Sequence, residues 1–484
     1  MSFNSFQFLL FFGTVLIIYF IIPHRFKWLW LLFASYFFYL KIKLIYIFII
    51  LFVTIITYYA GVWIGKCESK RIRKLILSTD LLICIGLLFI FKYYNFFINF
   101  IGDLLENYNI SFKIKPLNLS IPIGISFYIF KSLSYTIDVY RNNKVKENHF
   151  GKLALYIAFF PQLLAGPIER ANNFLPQVSK RFNFDEENIK NGVRQMLWGL
   201  FQKIVIADNL ALLVDAVYNN PIKYNGLTLI CATIFFSFQI YCDFSGYSDI
   251  AIGSAKLLGF TTITNFDRPY FATSIQDFWR RWHISLSTWL RDYIYFPLGG
   301  SRVSIIRYCF NIVIVMLICG IWHGANLTFI IWGLLHGFYL IVFRLTQNKI
   351  NRLYKIISIE EKIKLRKGLE ILITFSLVSM GWIFFRANNL SEAFYILLKI
   401  FKVMELNLSI NELIRIYFLG ELRFETFVSI FSIGFLLLVE RKTSFIEWVS
   451  NKSDLARWLC YYLIITAILL FGNFGQKQFI YFQF

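Results

Sequence analysis

Apolar runs of near-bilayer length, separated by short polar breaks, set the pattern of this chain. Runs over 5–23, 28–41 and 44–65 come in quick succession, and others follow at 75–92, 192–207, 227–242, 305–322, 327–343, 369–386, 390–404, 426–440 and 456–472. Roughly 20 apolar residues cross a bilayer as helix. Lipid cannot hydrogen-bond the backbone, so helix is the expected form. The runs do not alternate polar and apolar residues as membrane-barrel strands do. Phe, Trp and Tyr gather near the ends of the early runs, as interfacial belts do. The pattern predicts an all-α polytopic membrane protein, one domain over 1–484 with about 11–13 helical segments by the spacing rule.

The breaks add orientation. Lys66, Lys70, Arg71, Arg73 and Lys74 crowd one short loop, and eight basic residues face only Glu360 and Glu361 between Arg344 and Lys367. The positive-inside rule makes both loops cytoplasmic. Residues 93–117 are mixed and suit the interface. Pro122, Gly124, Lys131 and Asp138 interrupt the apolar run that ends at Tyr140. Pro161, Gly166 and Pro167 should stop a helix in the polar segment Pro161–Arg170, which reads either as a loop turn or as a site wall. Residues 171–190 are hydrophilic. The aromatic tail Gln478–Phe484 suits docking at an interface. The first run has no basic residue before it and no small-residue cleavage site after it, so a retained span is expected.

Composition agrees with a lipid solvent. Apolar residues make up 58% of the chain and charged ones only 16%, with mean hydropathy +0.59. The net charge of +21 resides largely in short loops, which points to membrane orientation and away from nucleic acid. Seven cysteines (67, 84, 231, 242, 309, 319, 460) are scattered without CxxC or Cys/His spacing. Neither a metal site nor a disulfide framework is expected. No Gly-rich phosphate loop or G-x-S-x-G nucleophile elbow is present.

Against this background one stretch, Asp243 to Trp332, collects carboxylates, arginines and two of five histidines. His323 lies between apolar runs in Trp322-His323-Gly324-Ala325-Asn326. An ionisable residue at membrane depth is a functional candidate by default. Two readings stay open from spacing alone: a neutral imidazole acting as general base, or a histidine bonded to a backbone carbonyl in a helix contact. His283 sits in a helix-like pattern of Trp279, Trp282, Leu286, Trp289, Leu290 and Tyr293 at three- and four-residue steps. Arg280, Arg281 and Arg291 around it either hold phosphates or head groups, or snorkel. Asp243, Asp249, Asp267, Asp277 and Asp292 are expected to pair with those arginines as a structural polar core, with a catalytic base among the first four as the alternative. His24, His149 and His336 are read as non-catalytic.

Taken in order, Asp243-Phe244-Ser245-Gly246-Tyr247-Ser248-Asp249, Phe278-Trp279-Arg280-Arg281-Trp282-His283, Ser285-Leu286-Ser287-Thr288-Trp289, Arg291-Asp292-Tyr293 and Trp322-His323-Gly324 resemble the membrane-bound O-acyltransferase (MBOAT) family. Within it they resemble the bacterial branch that O-acetylates extracellular polysaccharides, typified by the membrane subunit of alginate O-acetyltransferase. The resemblance runs through nearly the whole chain, with weaker echoes at Ser134-Tyr135, Phe160-Pro161-Gln162 and Gly381-Trp382. It implies a ring of tilted helices around a tunnel, with re-entrant or interfacial helices. It makes His323 the catalytic histidine and His283 a second histidine in the same tunnel, with Trp279, Trp282, Trp322, Asn326, Ser287, Arg280, Arg281 and Arg291 lining it.

The implied reaction is acyl transfer from a cytoplasmic thioester, acetyl-coenzyme A, to a hydroxyl of an extracellular or cell-wall polysaccharide, with no bound cofactor or metal. The implied setting is the bacterial cytoplasmic membrane. The implied partners are the lipid bilayer, a separate extracytoplasmic SGNH or esterase-like acetyltransferase and the polysaccharide synthesis machinery, with no nucleic acid. Two alternatives compete: D-alanyl transfer to teichoic acid from a carrier-protein thioester, and a transporter without covalent chemistry. The transporter should show paired broken helices in two similar halves, and no such repeat is visible.

Overall fold

The structure is a computed structural model, and it describes residues 1, 3–110, 114–141, 146–181, 185–356, 362–402, 410–474 and 479–480. Among these residues the secondary structure is helical throughout. Seven helices are long and apolar enough to cross a membrane: Leu44–Lys66, Lys70–Glu106, Gly226–Leu257, Ile305–His323, Leu327–Ile356, Ile363–Arg386 and Asp454–Phe471. The pair Ile410–Leu419 and Arg423–Glu440 would add an eighth span if its 93° bend lies within one crossing. Other expected spans fold as shorter helices. Phe6–Ile21 has 16 residues and starts on its Ser5 cap, whose hydroxyl accepts from Phe8 N. Leu390–Lys402 has only 13 residues. Outward-facing side chains such as Ile306 and Phe431 are 80% exposed, as suits a surface solvated by lipid rather than water.

The chain forms two compact units, residues 1–196 with 250–263, and residues 197–249 with 264–484. In the first, Gly61 lets Leu44–Lys66 approach Ile125–Tyr140, since a Cβ there would sit 2.7 Å from the Tyr135 ring. Gly124, at φ 82°, makes the left-handed entry to that second helix. The segment Pro161–Arg170 is a buried joint. Gln162 Oε1 accepts from Lys131 Nζ at 3.1 Å. The Glu169 carboxylate accepts from the backbone of Arg170 and Ile263 and from Asn173 Nδ2. Every one of those groups lies inside this unit.

In the second unit the Ile305–His323 and Leu327–Ile356 helices form a tight antiparallel hairpin. Gly320 and Gly333 permit the contact. A Cβ on Gly320 would lie 2.3 Å from Phe329 O, and one on Gly333 would lie 2.3 Å from Met316 O. Small residues that bring backbones together are how membrane helices pack without a hydrophobic drive. The turn is closed by Asn326, whose Oδ1 accepts from Thr328 N at 3.0 Å and whose Nδ2 donates to Asn388 O at 3.1 Å.

Two local differences from the sequence reading affect the site. Asp243–Asp249 does not begin a gap between spans but continues the 32-residue helix Gly226–Leu257. The segment has no proline, and Gly246 lies close to Gly199 O, so its polar side chains are taken up by protein rather than lipid. The aromatic pattern 279–293 is not one helix. It breaks at His283, which adopts φ 43° between the helices Ile275–Arg281 and Ile284–Leu290.

Candidate active site

His283 is completely buried and held by Asn265. Asn265 Oδ1 accepts from His283 Nδ1 at 3.1 Å, from Ser285 N at 3.3 Å and from Ser285 Oγ at 2.8 Å. The backbone N–H of Ser285 can only donate, so it sets the amide orientation. His283 therefore carries its proton on Nδ1 and presents Nε2 as the basic nitrogen. Burial pushes its pKa down to about 3, so the ring is neutral at physiological pH. A left-handed conformation in a residue other than glycine costs about 1–3 kcal/mol and clusters at functional sites. Here the Asn265 network offsets it.

His323 is the last residue of its helix, 3% exposed, at the hairpin turn. The Trp322 ring lies 5.7 Å from His283 and 5.0 Å from His323. The Trp332 ring lies 4.9 Å from both His323 and His336. Three imidazoles thus alternate with two indoles in one row. His336, expected from the sequence to be non-catalytic, is the third imidazole of the row. It is fully buried among Phe278, Trp279, Trp332 and Trp382, and neither ring nitrogen hydrogen-bonds to protein.

Two cavities flank this row at opposite ends of the hairpin. One, of about 550 Å³, is lined by Arg280, Arg291 and Arg344 with Trp279, Ser287 and Tyr308, and by no carboxylate among the described residues. Trp279 joins it to the row, 5.3 Å from His336 and 5.8 Å from Trp332. The other, of about 640 Å³, is lined by Asn326, Phe329, Phe385, Arg386 and Lys203 with three aspartates. Phe385, 5.1 Å from His323, joins it to the row.

The expected acid–arginine core is only partly of that composition. Asp277 pairs with Arg281, Asp267 with Arg268 and Asp292 with Arg291. Asp243 instead takes Lys203 at 2.5 Å, and Lys203 also binds Asp208 at 2.7 Å. Burial opposes the Lys203 charge, but Asp243 and Asp208 outweigh it and raise its pKa. Asp249 lies on the Gly226–Leu257 helix. Trp282 is buried against Phe266 and Trp382, and Ser287 Oγ donates to Trp282 O. Phe479, in the aromatic tail, stacks on Tyr247, and Ile480 N donates to Asp243; the rest of the tail lies outside the described residues. Sequence reasoning missed Asn265, Lys203, Asp208, Arg344 and Trp332. Asn265 stood inside the singled-out stretch, and its position shortly before a histidine-bearing segment was the available signal.

A helical membrane protein with a buried histidine pair at the centre of its polar core is the class these observations define. The model of the MBOAT, membrane-bound O-acyltransferase family matches residues 18–354. The chain belongs to that family and is an O-acyltransferase. It is 38% identical over 402 residues to the "Probable alginate O-acetylase AlgI" of Pseudomonas aeruginosa, covering 81% of this chain and 73% of that one. It is 36% identical over 397 residues to the "Peptidoglycan O-acetyltransferase" of Helicobacter pylori, covering 76% and 72%. A more distant relative is the "Teichoic acid D-alanyltransferase" of Bacillus subtilis, 29% identical over 288 residues, 56% and 70%. Family membership removes the transporter reading.

Proposed function

We propose that this enzyme takes an acetyl group from acetyl-coenzyme A onto an acceptor hydroxyl at the bacterial cytoplasmic membrane, on its way toward the hydroxyls of a cell-surface polysaccharide or peptidoglycan, with His323 as general base. The observation that carries the reading is the placement of buried His323 on an aromatic row flanked by two unlike cavities. Three arginines without a lining carboxylate suit the phosphates of the donor. The mixed cavity at Asn326 suits the incoming hydroxyl. The alginate and peptidoglycan relatives support acetyl over D-alanyl, since they are more similar over more of the chain.

In the proposed step His323 takes the proton of the attacking hydroxyl. The oxygen forms a bond to the thioester carbonyl carbon, the carbon–sulfur bond breaks, and the proton passes to the departing thiolate. Ester and free thiol result, so atoms and charge balance. Trp279, Trp282, Trp322 and Trp332 keep water from the thioester. A separate extracytoplasmic acetyltransferase would carry the group onward to the polymer.

Purified protein given labelled acetyl-coenzyme A tests this. His323→Ala should lower transfer by roughly 10²–10⁴-fold while melting near wild type. An unchanged rate would end the role of His323. Labelled D-alanyl carrier thioester as sole productive donor would favour the teichoic acid reading.

A further inference from the structure

The first unit holds a third cavity, of about 220 Å³, between the start of the His24–Leu40 helix, the end of Ala171–Ser179 and the 258–261 loop. Lys27, Lys180, Arg181 and His24 line it, and no carboxylate does among the described residues. Glu186 pairs with Lys190 at 2.7 Å, and Asp185 accepts from the lining residue Asn188 at 2.6 Å without itself lining the cavity. The site is built rather than incidental. Lys27 stands over the Tyr19 ring at 4.5 Å and the Phe20 ring at 5.5 Å. Gln177 fixes the floor, donating to Asn173 O and Thr261 O and accepting from Thr261 N and Oγ1. His24 Nδ1 is buried and makes no hydrogen bond to protein among the described residues. Burial, then the nearby Arg181 charge, lowers the Lys27 pKa. Converging cations with no acid between them repel one another until an anion enters.

The cavity also has a definite side. Trp28 packs against Gly151, Lys146 packs against Gly65, Tyr58 donates to Asn148 O, and Lys152 donates to Ser179 Oγ at 2.8 Å. The start of His24–Leu40, the end of Leu44–Lys66 and the end of Ala171–Ser179 therefore share one face. The basic loop Lys66–Lys74 lies on that face, which is the cytoplasmic one by the positive-inside rule. Basic pockets between helices on this side are suited to anionic head groups, and arginine grips phosphate through two parallel bonds.

We propose that this cavity binds a phosphate group at the cytoplasmic face, supplied by the head group of an anionic phospholipid or by a phosphorylated soluble ligand. The proposal does not depend on the acetyl-transfer reading. Its test uses the full chain, delipidated in a zwitterionic detergent and returned to nanodiscs of phosphatidylcholine with or without phosphatidylglycerol. Melting temperature and lipid adducts in native mass spectrometry are read, with inorganic phosphate in lipid-free detergent as the second arm. The site predicts that phosphatidylglycerol or phosphate raises the melting temperature, and that K27Q/R181Q weakens the response at least tenfold. Response to phosphatidylglycerol alone identifies the lipid source, and response to phosphate identifies the soluble one. K180Q, at an exposed position, should weaken binding without affecting the fold, which guards against a misfolded double variant. Absence of response to both probes, or a wild-type response in K27Q/R181Q and K180Q, overturns the proposal.

Discussion

Asn265 should be the most sensitive positioning residue in the second unit. Asn265→Ala removes the acceptor for His283 Nδ1–H, Ser285 N–H and Ser285 Oγ–H. The Ser285 hydroxyl already lies 3.5 Å from His283 Nδ1 and can turn toward it, which leaves about two buried donors unmet. At about 1–3 kcal/mol for each orphaned group, the loss is roughly 2–6 kcal/mol. The pH dependence has a definite sign. With its folded pKa pushed below the ordinary 6.5, His283 stays neutral while the unfolded ring protonates. Its contribution is complete above pH 6.5 and is lost as pH falls toward 3, by up to about 1.4 kcal/mol per pH unit. His283→Gln keeps a donor for Asn265 and removes the titration, so it should flatten that acid slope. Denaturant unfolding in detergent between pH 4 and 8 reads both effects. Asn265→Ala unfolding at the wild-type midpoint, or His283→Gln keeping the wild-type slope, would refute the reasoning.

Three further outcomes follow from the geometry. Arg280→Ala with Arg344→Ala should raise the KM for acetyl-coenzyme A by roughly ten- to a hundredfold, with a smaller change in kcat, because a hydrogen bond to a charged group contributes about 1.5–3 kcal/mol; an unchanged KM in steady-state assays would move the donor elsewhere. His336→Phe should melt at or above the wild-type temperature, since neither ring nitrogen is bonded to protein and an unmet buried polar group costs about 1–3 kcal/mol; a clear fall in melting temperature would show that the imidazole holds the core. Gly333→Ala places a Cβ 2.3 Å from Met316 O, where only backbone can yield, so it should destabilise by about 3 kcal/mol and reduce activity with it. A wild-type melting curve would contradict that close approach.

Helix positions were legible where the signal is local. The apolar run at 5–23 reappears as Phe6–Ile21, and those at 44–65, 305–322 and 327–343 reappear as long helices. The signal failed where polar residues are taken up by distant protein. Asp243–Asp249 read as a break because lipid would reject it, yet Lys203 and Gly199 receive it inside a helix. That pairing spans about forty positions and leaves no periodic trace. His283 broke a regular aromatic pattern because three bonds from Asn265 Oδ1 to its immediate neighbourhood outweigh the local helical preference. Trp332 was invisible for the opposite reason: in an apolar run it reads as core, and only the hairpin sets its ring between two imidazoles.

In the proposed reaction the charge arrangement along the hairpin suits different substrates at its two ends. At the Arg344 end three guanidinium groups line the cavity, and Asp292 pairs with one of them from outside the lining. At the Asn326 end two cations meet three carboxylates among the described residues in close pairs, Lys203 with Asp208 and Asp243, and Arg386 with Asp215. From Phe329 to Arg344 the helix rises roughly 22 Å at 1.5 Å per residue, so the charges of one cavity lie far from the other. Each substrate therefore meets chiefly the charges of its own cavity. An anionic donor is drawn to the first and gains nothing at the second. A polyanionic acceptor meets no excess of cations at the second end, so in the proposed reaction the group entering there is a neutral hydroxyl rather than a carboxylate-bearing segment. Donor affinity should weaken with added salt while acceptor affinity should not, and a matching salt dependence for both substrates would contradict this separation.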